Sequence, residues 1–224
     1  MRARHRHFNA AHAGATAIFD SRFMSGFSDG ASVDTWVSRS GSNDISQATA
    51  ANRPTYETNE INGNPSVYWD GGANDELTFA SALSYSNTSI VTVYKNEDAT
   101  NGSVVFARNN NSSDYIYFTT NTVQFQNSVT STRTHNLGNV FLIGSGIDIA
   151  STSVTAFANG TAATTTSGGN VTFTCTGIGK YGAGTAPNTQ GHLGLAIIAN
   201  VAWNDPLRRR VEHAAAYSFK ISCN

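Results

Sequence analysis

Apolar and polar residues alternate in short stretches along most of this chain. Val123 and Phe125 interleave with Gln124 and Gln126, and Val171 and Phe173 with Thr172 and Thr174. That period of two is what a strand with one buried face requires. Compact apolar runs recur between turn residues: Ala15 to Phe19, Ser66 to Trp69, Leu77 to Phe79, Ile90 to Tyr94, Val104 to Phe106, Tyr115 to Phe118 and Val154 to Phe157. Each predicts a strand. Val140 to Ile149 is longer, and Gly144 and Gly146 within it predict a bulge or a bend. Leu193 to Trp203 is the most apolar stretch and predicts a central strand. Asn159–Gly160 after Phe157 predicts a type I′ hairpin turn, whose two central residues both need positive φ. Short, regular intervals without alternating helices predict an all-β sandwich or barrel.

Two segments depart from this pattern. Residues 21–65 are rich in Gly, Ser, Asn and Asp, with Trp36 as the main large apolar residue. So long a connection is expected to carry local order or function of its own. Near the end, Asp205 as N-cap and Pro206 in the first turn predict one helix, with Leu207, Val211, Ala214, Ala215 and Ser218 on one face. Its basic first turn, Arg208 to Arg210, opposes the helix dipole. Ile221 to Asn224 trail from it.

Composition narrows the function classes. The chain has 224 residues, 13% of them charged, and a net charge of −1, so no global field draws it to nucleic acid or an acidic membrane. Positive charge gathers in residues 1–13, where Arg2, Arg4 and Arg6 alternate with His5 and His7; this reads as a basic arm before a domain spanning 14–224. The arm is either solvated surface or a segment that docks on an acidic neighbouring subunit. Phe8 to Ala17 is broken by Asn9, His12 and Gly14, so no secretory signal is expected, and no stretch approaches the roughly 20 apolar residues of a membrane span. Two cysteines, Cys175 and Cys223, are too few for a disulfide framework, and the sequence leaves open whether they pair.

Trp36–Val37–Ser38–Arg39–Ser40–Gly41–Ser42–Asn43–Asp44, then Gln47 and Arg53–Pro54–Thr55–Tyr56, resembles the opening segment of the laminin-G-like jelly rolls of the concanavalin A-like lectin/glucanase superfamily. Ile61–Asn62–Gly63–Asn64–Pro65–Ser66–Val67, Trp69–Asp70–Gly71 and Asp75–Glu76–Leu77 resemble the next. Phe157–Ala158–Asn159–Gly160 resembles the central hairpin, and Leu195 to Tyr217 the closing strand and helix. The resemblance implies a two-sheet antiparallel jelly-roll β-sandwich with one short C-terminal helix. Such domains occur in bacterial surface proteins, in secreted glycan-binding proteins, and in phage tail and capsid accessory proteins.

Chemistry is sparse. Glucanases of this fold carry paired carboxylates on one strand face, which alternation places two or four residues apart. No two acidic residues of this chain are so spaced; Asp75–Glu76 and Glu97–Asp98 are adjacent. There is no Gly-x-Ser-x-Gly elbow and no phosphate loop; Gly177, Gly179, Gly182 and Gly184 read as turn glycines. His5 and His7 on an extended arm lack a third metal ligand. Calcium is the one ion indicated: the resemblance implies it at the rim, and Asp70, Asn74 and Asp75 form the best local cluster. The same residues also suit a tight turn held by side-chain-to-backbone bonds. For glycan binding, Tyr85, Tyr94, Tyr115, Tyr117, Tyr181 and Asn109–Asn110–Asn111 supply ingredients without defining one platform.

The expectation is therefore a non-catalytic structural protein of a bacteriophage virion: a capsid decoration, fibre or tail component presenting a glycan- or host-surface-binding module. It would assemble in the host cytoplasm, with other virion subunits as partners and as a homo-oligomer, with no nucleic-acid partner. The alternative is a bacterial secreted or cell-surface glycan-binding module. A glycoside hydrolase is a third reading.

Overall fold

The structure, a computed structural model, describes residues 14–72, 75–97, 172–179 and 189–222, together with the backbone of the strands between 103 and 167. In chain order the strands are β1 (Ala15–Asp20), β2 (Ala31–Ser32), β3 (Thr35–Trp36), β4 (Ile45–Ser46), β5 (Thr55–Ile61), β6 (Asn64–Asp70), β7 (Leu77–Tyr85) and β8 (Thr88–Asn96). There follow β9 (Ser103–Ala107), β10 (Asp114–Phe118), β11 (Thr122–Asn127), β12 (Thr130–Thr134), β13 (Val140–Asp148) and β14 (Ser153–Ala158). The last are β15 (Thr161–Ala162), β16 (Thr166–Ser167), β17 (Phe173–Ile178) and β18 (Gln190–Ala199), before the helix α1 (Asp205–Ser218).

These strands form two antiparallel sheets. The first runs β15-β14-β13-β8-β18-β6-β5-β2, with β16 beside β14. Its central strand β18 pairs with β8 along one edge; along the other it pairs with β6 at Gln190 to Leu193 and with β1 at Leu195 to Ala199. The second sheet runs β12-β11-β10-β9-β17-β7-β4-β3. The chain is thus an all-β sandwich with one C-terminal helix.

Alternation decides which side chain enters which layer. In β8, Ile90 and Tyr94 point between the sheets, while Val91 and Val93 point to the outer face of the first sheet. The inter-sheet core joins Phe19, Val67, Trp69, Leu193 and Ile198 to Trp36, Ile45, Leu77, Phe79, Phe173 and Cys175 from the opposite sheet. On the outer face Ile18, Ile61, Val91, Val93, Leu195 and Ile197 meet Val211, Ala215, Ala216 and Phe219 of the helix region. Phe219 and Ile61 come so close to Gly194 that a Cβ there would lie 2.6 Å from the Phe219 ring. A register shift between Leu193 and Leu195 flips β18 at that glycine, so Leu193 faces the core and Leu195 the helix.

The polar segment that opens the domain seals the other edge of β1. Ser38 Oγ accepts from the Ile18 N–H at 3.0 Å, while Ser40 Oγ and Asn43 Nδ2 both donate to the Thr16 carbonyl at 2.8 Å. Asp44 holds this loop by accepting from the Ser38 N–H at 2.7 Å. The serines and asparagine thereby blunt an edge that would otherwise expose unpaired backbone groups.

Several expectations need correction. Gly144 and Gly146 mark no bulge, since β13 pairs with β8 in unbroken register from Val140 to Ile147. The Ser/Asn-rich connection hides a seven-residue strand, β5. The central strand begins at Gln190 and ends at Ala199, before Trp203. Asn204, not Asp205, caps the helix, its side chain accepting from the Leu207 N–H. The buried helix face is Arg208, Val211, Glu212, Ala215 and Ala216, with Ala214 and Ser218 only partly covered. Arg208 is thus buried, unlike the exposed Arg209 and Arg210, and pairs with Glu212 one turn along the same face. Gly177 and Gly179 are close-approach positions: added Cβ atoms would fall 2.5 Å from the Leu77 carbonyl and 2.0 Å from the Trp69 indole nitrogen. Gly182 and Gly184 lie outside the described residues. β14 and β15 pair as a hairpin through Phe157↔Ala162 and Ala158↔Thr161, although Asn159–Gly160 lies outside the described residues.

Candidate functional site

Beyond the helix, the outer face of the first sheet changes character. On β18 the outward position ahead of the apolar stretch is His192, with Tyr68 of β6 and Lys95 of β8 opposite it in register. The Tyr68 and His192 rings stack at 4.6 Å. Glu57 and Glu60 of β5 and Glu97 after β8 complete the group. His192 is only 3% exposed, and its Nδ1 lies 3.1 Å from Ser66 Oγ and 3.7 Å from Glu57 Oε2. Its Nε2 lies 3.2 Å from Glu97 Oε1 and 3.9 Å from Glu60 Oε2. Lys95 Nζ bridges Glu97 at 2.8 Å and Glu60 at 3.4 Å.

Glu57 and Glu60 stand three apart, so a regular strand would send them to opposite faces. The register between β5 and β6 shifts between Glu57 and Ile61, and Asn59 takes φ +64°. Asp29 holds this irregular stretch by accepting from both the Thr58 N–H and hydroxyl at 2.7 and 2.8 Å. The bulge brings both carboxylates to His192, and oxygens of Glu57 and Glu60 and a ring nitrogen of His192 all lie within 4.8 Å of one another.

The electrostatics follow from burial and neighbours. Burial pushes the His192 pKa down, against the pull of Glu97 and Glu60. Burial, then the charges of Glu60, Asp29 and Glu97, raise Glu57. Burial also works to raise Glu97, but Lys95 and His192 outweigh it and hold that carboxyl low. A neutral His192 carrying its proton on Nε2 satisfies both neighbours, donating to Glu97 and accepting from the Ser66 hydroxyl. Ser66, His192 and Glu97 thus form a hydrogen-bonded chain, but Ser66 is 0% exposed and offers no reachable nucleophile.

The second cluster lies at the rim. Asp70 Oδ1 accepts from the Gly72 N–H at 2.7 Å, and Gly72 fits between two carboxylates: a Cβ on it would lie 2.9 Å from Asp70 Oδ1 and 3.0 Å from Asp75 Oδ2. Burial and the hydrogen bond to Asp70 push the Asp75 carboxyl up to about 7, while that bond and the Gly72 N–H lower Asp70. Two of the three residues expected to hold calcium therefore meet; Asn74 lies outside the described residues.

The other expected site residues divide three ways. Tyr94 is a core residue whose hydroxyl donates to the Gln190 carbonyl at 3.1 Å, so it offers no sugar platform. Tyr85 packs half-buried against the same core. Tyr115 and Tyr117 sit on β10, while Tyr181, Asn109–Asn111, Cys223 and the arm with Arg2, Arg4 and Arg6 lie outside the described residues. Cys175 is buried, its thiol donating to the Gly177 carbonyl at 3.2 Å. Among the described residues, no helix is long and apolar enough to cross a membrane.

No family model matches the chain, and no curated protein matches it in sequence. Solved structures do match in shape. Trypanosoma rangeli sialidase superposes with a TM-score of 0.60 at 9% identity, over 89% of this chain and 32% of the sialidase. Domain 4 of AbnA, a GH43 extracellular arabinanase from Geobacillus stearothermophilus solved in complex with arabinotriose, gives 0.54 at 13% identity, over 88% of this chain and 98% of that domain. The receptor binding domain of botulinum neurotoxin type G gives 0.53 at 11% identity, over 90% and 51%. The chain spans about a third of the sialidase it matches. At these identities the likeness concerns the fold, a two-sheet β-sandwich.

Proposed function

We propose that the chain is a non-catalytic jelly-roll module of the concanavalin-like, laminin-G-like kind that binds glycans on a target surface, and that it does so as a component of a bacteriophage particle. The observation that carries the glycan reading is the match along nearly the full length of an arabinotriose-bound domain of similar extent. The non-catalytic reading rests on the state of the acids. Asp70 and Asp75 touch, leaving no room for the roughly 5 Å separation that retaining glycoside hydrolysis uses. Glu60 and Glu97 are engaged by Lys95, and Ser66 is sealed.

Calcium belongs to the same reading. Asp70 and Asp75 would hold it, as hard oxygen donors that already meet beside Gly72, where a Cβ would crowd both. Its charge would replace the proton these two carboxyls share. Calcium binding at pH 6 is then accompanied by proton release.

The test is titration of the full chain with arabino-oligosaccharides and sialylated glycans, with product analysis on the same samples. Binding without sugar release is expected. Release of sugars, lost on substituting one carboxylate, would overturn the non-catalytic reading, and absence of binding across a broad glycan panel would overturn the glycan reading. The particle setting has its own test: a chain lacking residues 1–13 is expected to fold but fail to incorporate into particles. Normal incorporation would remove the arm's role.

A further inference from the structure

We infer that Glu57, Glu60 and His192 form a binding site for a divalent transition-metal ion of the zinc class on the outer face of the first sheet. This inference is independent of glycan binding and of the calcium reading at the rim. Three observations carry it together. One imidazole and two carboxylates, from β18 and from both sides of the β5 bulge, converge to within 4.8 Å, which is near enough for a single ion to be ligated by small side-chain movements. The set mixes nitrogen and oxygen donors, which suits zinc, cobalt or manganese better than calcium. The charge is also unbalanced: among the described residues three carboxylates, Glu57, Glu60 and Glu97, face one ammonium, Lys95, around the imidazole.

Supports behind the ligands match what metal sites use. Ser66 Oγ and the stacked Tyr68 ring fix the imidazole plane, and Asp29 fixes the bulge that turns Glu57 and Glu60 inward. Lys95 is the competitor. Its ammonium holds Glu60 and Glu97 together, so metal and ammonium draw on the same carboxylate charge.

The test uses the full chain carrying His5→Ala, His7→Ala and His12→Ala, which removes the histidines of the arm as rival ligands. Cobalt(II) is titrated by visible absorption, and zinc by competition with it. One tight equivalent is expected, weakened at least tenfold by Glu57→Gln or Glu60→Gln and strengthened by Lys95→Gln. A merely structural lysine would not produce that last gain. No tight equivalent, or one unmoved by Glu57→Gln and Glu60→Gln, would overturn the assignment. Should those variants fail to fold, the imidazole resonances of His192 decide: zinc must shift them in the arm-substituted chain, and unchanged resonances would overturn the site.

Discussion

The two halves of the first sheet's outer face are built by the same strands and treated in opposite ways. Under α1, β8 presents Val91 and Val93 and β18 presents Leu195 and Ile197, closed over by Val211, Ala215 and Phe219. A few residues along, β8 presents Lys95 and β18 presents His192, and Glu57, Glu60 and Glu97 gather around them. Apolar surface needs a cover to leave water, and the helix supplies it. The ionisable half instead satisfies its groups laterally, across strands, and keeps Glu57, Glu60 and Glu97 partly exposed. One half stabilises the fold; the other has side chains available for a ligand.

Substitutions can break this contrast. The largest effect is expected from Phe219→Ala, which removes a fully buried ring from the covered half and leaves a cavity over Gly194, at a cost of about 3–5 kcal/mol in chemical denaturation. Ser66→Ala in the open half takes away the hydroxyl partner of His192 and is expected to cost about 1–2 kcal/mol. A loss as large as that of Phe219→Ala would mean that the open half is also a stability core.

A smaller effect concerns pH. The folded state holds the Asp75 proton to about 7, far above its ordinary value of 3.8, so between those values the folded chain binds more protons than the unfolded one. Without calcium, the stability this group contributes therefore falls as pH rises through that window. Asp75→Asn should flatten the slope in thermal melts between about pH 5 and 7, the upper part of that window. An Asp75→Asn slope no flatter than the parent's would refute the shared proton. Tyr217→Ser, on the exposed side of the helix, is expected to stay within about 0.5 kcal/mol of the parent, marking the baseline for solvent-facing positions.

The legibility of the sequence follows the same division. Strands with buried faces, such as β6 and β8, announce themselves through their apolar residues. β5 does not, because Glu57, Thr58, Asn59 and Glu60 carry no such pattern. The Asn62–Gly63 turn that joins it to β6 has the residues of a hairpin, with φ of 52° and 81°, but no apolar run before it. The same blind spot conceals the His192 cluster. Counting acids two or four apart assumes unbroken pleating, and the bulge at Asn59 invalidates that count for Glu57 and Glu60. Arg208 was equally hidden, since its burial depends on Glu212 lying one turn away on the same face. The rim carboxylates were legible because Asp70 and Asp75 flank a short glycine turn, a local feature.

The pairing of β1 with β18 sets a schedule for synthesis. Ala15 and Ala199 are neighbours in the sheet although nearly the whole domain separates them along the chain. A ribosome must therefore deliver almost everything before the earliest strand finds its place, leaving an apolar segment waiting while translation proceeds. Slow maturation, and sensitivity to premature termination ahead of Gln190, follow from that order of events.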